Sequence, residues 1–396
     1  MRPTTPTPAG FGALGRAAAG PPARKAAEPA GTAASGSAAQ GTACRHPIGT
    51  PRPPAPESPA RILIVTDAWR PQVNGVVRTL STVVEHLRAR GDVVEVIGPD
   101  RFRTVALPSY AEIRLALVRR RHLARMVDAF APSAVHIATE GPLGWAARAL
   151  CRRRGWPFTT SFHTRFPEYL HLRARVPQVL SWALLRRFHA PAAATLAATT
   201  SLLGELDARG FRHLRRWSRG VDLERFPPAP RAPWAGLPRP VFLYAGRVAV
   251  EKNIEAFLSL DLPGSKVVVG DGPHRAALQA RFPEAHFTGY REGAALAASY
   301  AGADVFVFPS RTDTFGLVLL EALATGTPVA AFPVAGPQDV IGGATEPVGA
   351  LSEDLRAACL AALTADREAC RRHAAKWSWA ASATQLRDSL AALPQG

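Results

Sequence analysis

The sequence of 396 residues is poor in cysteine and has no long apolar run. Its four cysteines are scattered without a Cys-x-x-Cys pair, which argues against a disulfide framework or a cysteine-based metal site and favours a reducing cytoplasm. Apolar runs such as Val305–Phe308 are far shorter than the roughly 20 residues that a membrane-spanning helix requires. The sequence therefore predicts a globular protein without a membrane span.

Lysine is also scarce, because only four of the 48 basic residues are Lys, and the positive charge is concentrated in one half of the chain. Residues 61–230 carry 27 Lys and Arg against 13 Asp and Glu, whereas residues 231–396 carry 15 against 16. An arginine-rich proteome accounts for the low lysine content but not for this asymmetry. The asymmetry indicates an anionic partner for the first half, either lipid headgroups or nucleic acid.

The N-terminal residues 1–59 are rich in Ala, Pro, Gly, Ser and Thr and contain few large apolar side chains. Such a segment cannot bury enough apolar surface to offset the entropy cost of ordering, so a disordered extension is predicted. It contains no basic stretch followed by an apolar region, which argues against a secretory signal.

From residue 60 onward, short β-branched runs alternate with helical segments. Residues 61–66 form an apolar run typical of a strand buried on both faces, and residues 76–90 have the pattern of a helix. This alternation continues to the Pro-rich stretch 226–240, a predicted linker, and then restarts. The pattern predicts an α/β fold in which parallel strands are covered by helices.

We accordingly predict two Rossmann-like domains whose parallel sheets face each other across a cleft. The N-terminal domain is expected to span residues 60–228 and the C-terminal domain residues 229–375. Residues 376–396, with Trp377 and Trp379, are predicted to add a helix that packs back on the N-terminal domain. In open α/β sheets ligands bind where strands end and helices begin, so the candidate sites lie at these junctions.

One junction of the second domain combines glycine with two cations. Gly246 and Arg247 follow the strand predicted at 241–245, and Lys252 lies near the start of the next helix. Two cations beside the positive end of a helix form an anion site suited to a diphosphate. A solvated basic turn is the alternative.

Another junction of the same domain carries two acidic residues. Asp313 lies in a turn, and Glu321 follows eight residues later, a spacing of about two helical turns along one face. Carboxylates accept hydrogen bonds from sugar hydroxyls, and backbone N–H groups from Thr314 to Leu317 can hold phosphate oxygens. A helix N-cap is the alternative for Asp313, whereas Glu321 lies among leucines on a helix that is predicted to be buried.

The first domain contributes two further candidates. Asn74 and Gly75 follow the first strand, and Gly75 permits close approach of a pyrophosphate or a sugar to the backbone. The surrounding residues do not form the Gly-x-Gly-x-x-Gly fingerprint of dinucleotide binding. His163 ends a predicted strand that faces the cleft, although a lone histidine is more often structural than catalytic.

Residues 61 to about 390 resemble the bacterial family 4 retaining glycosyltransferases, GT-B enzymes that include lipid mannosyltransferases, sulfoquinovosyltransferases and diacylglycerol glycosyltransferases. The resemblance rests on short motifs in the family's order and spacing. These motifs are Asn74-Gly-Val-Val-Arg78, Phe162-His-Thr164, Arg219-Gly-Val-Asp222, Gly246-Arg-Val248, Gly270-Asp-Gly-Pro273 and Thr312-Asp-Thr-Phe-Gly316. The family's E-x7-E motif is present as Asp313-x7-Glu321, in which the aspartate is one methylene shorter than glutamate.

The resemblance implies a role for each candidate. Glu321 would bind the ribose of a nucleotide-sugar donor and Asp313 its sugar hydroxyls, while Arg247 and Lys252 would neutralise the diphosphate as catalytic cations. His163 would act on the donor sugar or the acceptor. Gly272 and Tyr290 would lie near the base, where Tyr290 would stack unless it belongs to the core. The other donor-binding residues would be Asn74, Gly75, Gly246, Thr314, Phe315, Gly316 and Leu317.

The resemblance further implies a reaction without a resident cofactor. Arg247, Lys252 and the helix N-terminus after Asp313 would stabilise the leaving nucleoside diphosphate electrostatically, so no metal is expected. The sequence also lacks Asp-x-Asp, the pair that metal-dependent glycosyltransferases use. Retention without a protein nucleophile would leave the departing phosphate as the base for the acceptor hydroxyl. The donor would be of the GDP-mannose or UDP-glucose type.

The basic first domain favours a membrane glycerolipid as the acceptor. Arginines occur throughout the domain and flank a group of apolar residues, as in helices that lie on an anionic membrane. The apolar positions are Leu170, Leu172, Val176, Val179, Leu180, Trp182, Leu184 and Leu185. The arginines nearest to them in sequence are Arg152, Arg153, Arg154, Arg173, Arg175, Arg186 and Arg187. A solvated face beside ordinary core is the alternative, and the expected location is the cytoplasm or the inner face of the plasma membrane.

Other functions remain open at this point. The acceptor could be a soluble molecule or a polysaccharide, and a phosphorylase or an epimerase could share the fold. A nucleic-acid-binding protein would also explain the basic half, but no recognisable binding module is present and Asp313 and Glu321 would have no role. We therefore expect a nucleotide-sugar and a lipid or glycan as partners, and no nucleic acid.

Overall fold

The computed structural model describes residues 59–72, 74–107, 110–168, 175, 177–229 and 232–394. The predicted N-terminal extension lies outside these residues except for its last position. From residue 61 onward the described chain alternates strands and helices, as the sequence predicts.

The first half of the chain builds one sheet of six parallel strands. The strands are β1 (Arg61–Val65), β2 (Val93–Ile97), β5 (Ala134–Ile137), β6 (Thr159–Phe162), β7 (Ala194–Ala197) and β8 (Leu214–Arg216). Their order in the sheet is β2-β1-β5-β6-β7-β8. Strands β3 (Thr104–Leu107) and β4 (Tyr110–Ala116) form a separate antiparallel pair that the sequence did not predict.

Five helices accompany this sheet in the described part of the chain. They are α1 (Gly75–Ala89), α2 (Arg120–Phe130), α3 (Pro142–Arg153), α4 (Gln178–His189) and α5 (Thr200–Ala208). Helix α1 begins after Asn74, whose side chain accepts hydrogen bonds from the backbone N–H groups of Val76 and Val77 at 3.0 and 2.9 Å. This N-cap satisfies donors that the first turn of a helix leaves unpaired.

The second half builds another sheet of six parallel strands. The strands are β9 (Val241–Ala245), β10 (Ser265–Val269), β11 (His286–Gly289), β12 (Val305–Phe308), β13 (Val329–Ala331) and β14 (Gly349–Leu351). Their order, β11-β10-β9-β12-β13-β14, is that of a Rossmann sheet. Successive strands are added on one side of β9 up to β11 and on its other side from β12 onward, so the topological switch point lies between β9 and β12. The prediction of two Rossmann-like parallel sheets is confirmed.

The remaining helices of the described chain follow the strands of the second sheet. They are α6 (Ile254–Leu258), α7 (Arg275–Arg281), α8 (Gly293–Gly302), α9 (Leu317–Ala324), α10 (Ala335–Val340), α11 (Leu355–Ala362), α12 (Arg367–Ala374) and α13 (Trp379–Ser389). None of the helices in the described ranges is both long enough and apolar enough to cross a bilayer.

The last helix, α13, returns to the first half of the chain. Trp379, Ala383 and Leu386 are buried in the same apolar cluster as strand β1 and helix α1. The indole of Trp217 donates a hydrogen bond to the carbonyl of Ser382 at 3.1 Å. The helix begins at Trp379 rather than at residue 376, because the Ser378 hydroxyl caps its first turn.

Candidate active site

The predicted anion site lies at the switch point of the second sheet. Strands β9 and β12 are adjacent and parallel, so the loops that follow them leave the same edge of the sheet side by side. The Asn253 amide donates to the carbonyl of Pro309 at 3.1 Å, and the Thr312 hydroxyl donates to the carbonyl of Glu251 at 3.3 Å. These bonds fix the two loops to each other.

Lys252 and Asp313 form the centre of this junction. The Lys252 ammonium donates to Asp313 Oδ1 at 2.6 Å, and both side chains are mostly buried. The second carboxylate oxygen, Asp313 Oδ2, is buried and has no hydrogen-bond partner among the described residues. A buried carboxylate oxygen without a donor is energetically unfavourable, so this atom is suited to accept a hydrogen bond from a ligand hydroxyl.

The turn between Asp313 and helix α9 corrects one step of the sequence argument. The helix begins at Leu317, so Asp313 does not lie on it, and the eight-residue spacing does not place Asp313 and Glu321 on one helical face. The N-cap is Gly316 rather than Asp313. Gly316 has φ +86°, and a Cβ there would lie 3.0 Å from the Phe308 ring, so glycine is required for this turn.

Glu321 is buried on α9, as predicted, with 3% of its surface exposed. One carboxylate oxygen accepts a hydrogen bond from the Tyr300 hydroxyl at 3.1 Å, and the other forms an ion pair with Arg78 of α1. Burial raises the pKa of Glu321, while the charge of Arg78 and the Tyr300 hydrogen bond act in the opposite direction. The Arg78 guanidinium also lies over the Phe226 ring, 5.4 Å from its centroid.

The glycines near the cations are explained by backbone crowding. Gly272 has φ +156°, and a Cβ at this position would lie 2.3 Å from the carbonyl oxygen of Val248. The loop after β10 therefore packs directly against the loop that carries Arg247, which is itself half-buried beside Gly246. Replacement of Gly272 by any other residue would separate the two loops.

The two halves of the chain meet at the predicted donor-binding turn. The Thr314 hydroxyl donates to the backbone carbonyl of His163 at 2.7 Å. Leu317 packs against the apolar clusters of both halves, and Gly75 lies opposite it, where a Cβ would be 4.0 Å from Leu317 Cδ1. Phe315 is buried with its ring 5.5 Å from that of Trp377. The turn is thus held from both sides.

The imidazole of His163 is buried and both of its nitrogens are engaged. Arg219 can only donate, so its 3.2 Å contact makes His163 Nδ1 an acceptor. His163 Nε2 then carries the proton and donates to Ser161 Oγ at 2.9 Å, and the Ser161 hydroxyl donates to the carbonyl of Ala138 at 3.2 Å. The chain of hydrogen bonds fixes one neutral tautomer.

Burial and the neighbouring charge of Arg219 hold the pKa of His163 well below its usual value. The ring is therefore neutral at physiological pH. This geometry fits a residue that positions the turn through its backbone carbonyl. The predicted contact of His163 with a sugar or an acceptor stays a prediction.

Tyr290 does not belong to the core. It follows β11 with 59% of its surface exposed, and its hydroxyl donates to Glu292 at 3.1 Å. The core alternative is thus wrong for this residue, because the chain leaves the sheet at Gly289 and turns outward. The ring is exposed, and its predicted stacking on a base stays a prediction.

Sequence reasoning missed Arg78 and Tyr300 as partners of Glu321. Arg78 is the last residue of the motif Asn74-Gly-Val-Val-Arg78, so the sequence could have indicated it as a residue of the site. Tyr300 gave no such signal, since it is one aromatic in an otherwise apolar helix. Across the ranges that the structure describes, no group of three or more His, Cys, Asp or Glu side chains is placed to hold a metal ion.

Two Rossmann-like sheets, with a buried carboxylate and a Lys–Asp pair at the switch point of the second, have the architecture of the GT-B class. The chain belongs to glycosyltransferase family 4. Residues 73–225 match the family model described as Glycosyltransferase Family 4. Residues 239–365 match the model described as Glycosyl transferases group 1.

Individual relatives agree with this assignment. A GDP-mannose-dependent alpha-mannosyltransferase of Mycobacterium tuberculosis is 35% identical over 311 residues, covering 71% of this chain and 81% of the relative. An alpha-monoglucosyldiacylglycerol synthase of Streptococcus pneumoniae is 27% identical over 313 residues, covering 68% and 70%. Sucrose-phosphate synthase of Thermosynechococcus elongatus has a similar structure, with a TM-score of 0.67, 18% identity, and coverage of 82% of this chain and 97% of that chain. The structural likeness concerns the fold alone.

Proposed function

We propose that this protein is a retaining hexosyltransferase that transfers mannose from GDP-mannose to a hydroxyl group of a membrane glycerolipid. The observation that carries the donor assignment is the buried, unpartnered Oδ2 of Asp313 beside the ammonium of Lys252. Asp313 Oδ2 can accept a hydrogen bond from a sugar hydroxyl, and the neighbouring Lys252 ammonium can bind a phosphate. The similarity to a GDP-mannose-dependent relative selects the donor.

In the proposed mechanism, charged side chains are already positioned for the transition state before the reaction begins. Lys252 and Arg247 stabilise the negative charge that develops on the leaving diphosphate, and Glu321 accepts hydrogen bonds from the ribose. The His163 imidazole is neutral with both nitrogens engaged, so it does not remove the acceptor proton. The leaving phosphate takes that proton, and the acceptor attacks from the same face of the sugar. No metal ion takes part in this mechanism.

The donor proposal predicts a ranking of ligands. GDP-mannose is expected to bind at least tenfold more tightly than UDP-glucose, a difference of about 1.4 kcal/mol, because base and sugar contacts both differ. Isothermal titration with the full chain measures both affinities in buffer with and without EDTA. Tighter binding of UDP-glucose would contradict the donor assignment. A transfer assay with and without EDTA tests metal independence, which loss of activity with EDTA would refute. An inverted anomeric configuration of the product by NMR would refute retention.

The acceptor proposal rests on an exposed apolar face of helix α4. Leu180 and Leu184 are one helical turn apart and expose 63% and 52% of their surface, and the neighbouring Val179 exposes 72%. Arg186 and Arg187 are exposed at the end of the same helix. Solvent-exposed leucines beside arginines complement an anionic membrane. The apolar side chains would enter the lipid, and the arginines would contact the headgroups.

Part of the predicted apolar surface is corrected by the structure. Trp182 and Leu185 are buried, because they face the core of the first half of the chain. Leu170, Leu172, Val176 and Arg173 lie outside the described residues. The membrane-facing surface proposed here is therefore the stripe of Val179, Leu180 and Leu184, and it supports a peripheral location on a membrane.

Removal of this stripe is expected to weaken membrane binding. The double substitution Leu180→Gln with Leu184→Gln should reduce binding to anionic vesicles at least tenfold, since each leucine loses part of roughly 1.5–3 kcal/mol of burial. Flotation with vesicles measures the bound fraction. The control combines Leu117→Gln with Leu363→Gln, two other exposed leucines away from α4. Equal binding by both variants would contradict the proposed surface.

A further inference from the structure

A small basic cavity lies on helix α3, away from the candidate active site. Its volume is about 320 Å³, and it is lined by Arg148, Ala149, Arg152 and Arg153. Arg152 and Arg153 are exposed at its rim, whereas Arg148 is 7% exposed at its base. Neither the donor site nor the mechanism uses these residues.

Arg148 is held in a fixed orientation at the base of the cavity. Its Nε donates to the carbonyl of Phe188 at 2.9 Å and its Nη2 to the carbonyl of Arg187 at 2.7 Å. Its guanidinium lies over the Trp145 ring, 5.1 Å from the centroid. The third nitrogen, Nη1, forms no hydrogen bond with any residue that the structure describes. Nη1 is not among the buried polar atoms that lack a partner, so its donors face the opening of the cavity, where the fixed guanidinium can bind an anion.

The cavity concentrates positive charge. Burial and the charges of Arg152 and Arg187 lower the pKa of Arg148, which shows that these cations are close enough to repel each other. Within the described ranges, no carboxylate forms an ion pair with Arg148, Arg152, Arg153 or Arg187. The adjacent Asp128 is paired with Arg154 instead. An anion in the cavity would relieve the repulsion, and arginine forks match the oxygens of a phosphate group.

The cavity adjoins the exposed apolar stripe of α4. Leu180, Leu184 and Arg187 follow one another at spacings of four and three residues, so they share one face of the helix. Arg148 binds the carbonyl of Arg187 at the end of that face. An amphipathic lipid that inserts its chains beside Leu184 would bring its phosphate to this end of the helix.

We propose that Arg148, Arg152 and Arg153, together with Arg187, bind the phosphate of an anionic phospholipid headgroup. This site deepens the proposed membrane binding and rests on it. It supplies a discrete headgroup contact, whereas a general basic surface would attract any negative lipid. The lipid bound here is distinct from the acceptor, because the lining residues lie in the second half of α3, which leads away from the edge of the sheet where the strands end and ligands bind.

Charge removal at the rim tests the proposal without disturbing the buried Arg148. The full chain with Arg152→Gln and Arg153→Gln is titrated with vesicles of phosphatidylcholine that contain phosphatidylglycerol. Its affinity is expected to fall about tenfold or more, since each basic residue near an anionic surface contributes severalfold to binding. The matched control is Arg120→Gln with Arg121→Gln, an exposed pair on α2 with the same loss of charge. A fall below threefold is expected for the control.

Each outcome decides the question. An equal loss of vesicle affinity in both variants would mean that the basic surface attracts anionic lipid without a discrete site. An unchanged affinity in the Arg152 and Arg153 variant would mean that these residues do not bind the headgroup, and either result overturns the proposal. Titration with inorganic phosphate separates the sources of the ligand. Binding of free phosphate through Arg152 and Arg153, with vesicle affinity unchanged, would also overturn it. GDP-mannose affinity is measured in parallel, so a failed donor assignment is recognised independently of the headgroup result.

Discussion

Replacement of Glu321 by Gln is expected to lower kcat/KM for the nucleotide-sugar donor by about 100-fold or more, because charged hydrogen bonds to the ribose each contribute roughly 1.5–3 kcal/mol. Glutamine keeps the shape of the side chain and can still accept from Tyr300, so the fold should persist. Steady-state kinetics and calorimetric titration with the donor measure the effect. A melting temperature close to that of the unchanged chain establishes that the loss is functional.

Two further variants make the Glu321 result specific. Tyr300→Phe removes one partner of the carboxylate and should lower kcat/KM about fivefold, in line with roughly 1 kcal/mol for a hydrogen bond. Glu255→Gln removes an equal charge from an exposed residue of the same half, which pairs with Arg281 at the surface, and should leave kinetics unchanged. Unaltered donor affinity in the Glu321 variant would refute the ribose assignment.

Lys252→Gln is expected to lower kcat by about 100- to 1000-fold, the usual effect of removing one preorganised donor from a developing negative charge. The loss should appear mainly in kcat, since the charge on the diphosphate is greatest as the sugar departs. Lys252→Arg should recover part of the rate, because the charge returns but the fork geometry differs from that of an ammonium. Single-turnover kinetics separate this step from product release.

The matched control for Lys252 is Lys266→Gln on strand β10. Lys266 donates to the carbonyl of Leu258 in the same half of the chain but does not reach the junction of β9 and β12. Its replacement should leave kcat unchanged within about threefold. If Lys252→Gln behaved like this control, the diphosphate would have to be neutralised elsewhere.

The elements that carry the site were predictable because their signals are local. Strand β9 was predicted with the bounds that the structure shows, and β12 coincides with the apolar run Val305–Phe308 noted in the sequence, since both are uninterrupted apolar runs buried in a parallel sheet. Adjacency of their loops follows from Rossmann topology alone. The burial of Glu321 followed from the leucines around it. The strand bounds and the burial of Glu321 thus followed from neighbouring residues in the sequence, and only the adjacency of the two loops required the topology of the sheet.

The pairing of Glu321 with Arg78 was not predictable in the same way. The two residues are 243 positions apart, and their contact depends on how α1 and α9 approach across two separate sheets. The start of α9 was also misjudged, because Gly316 adopts a left-handed conformation that ends the turn three residues after Asp313. The exposure of Tyr290 was decided by the direction of the chain beyond β11. Each miss depends on tertiary geometry rather than on propensity.

The return of α13 to the first sheet has a consequence for synthesis of the chain. Trp379 and Leu386 complete the core around β1 and α1, and Arg387 pairs with the buried Asp92. The last helix thus supplies contacts that the first-made residues need. The apolar cluster that β1 and α1 form on one side of the first sheet stays incomplete until translation has passed Leu386. The core of the N-terminal half is therefore completed only after α13 has been synthesised, and a chain truncated after α12 lacks the part of that core which Trp379, Ala383 and Leu386 supply.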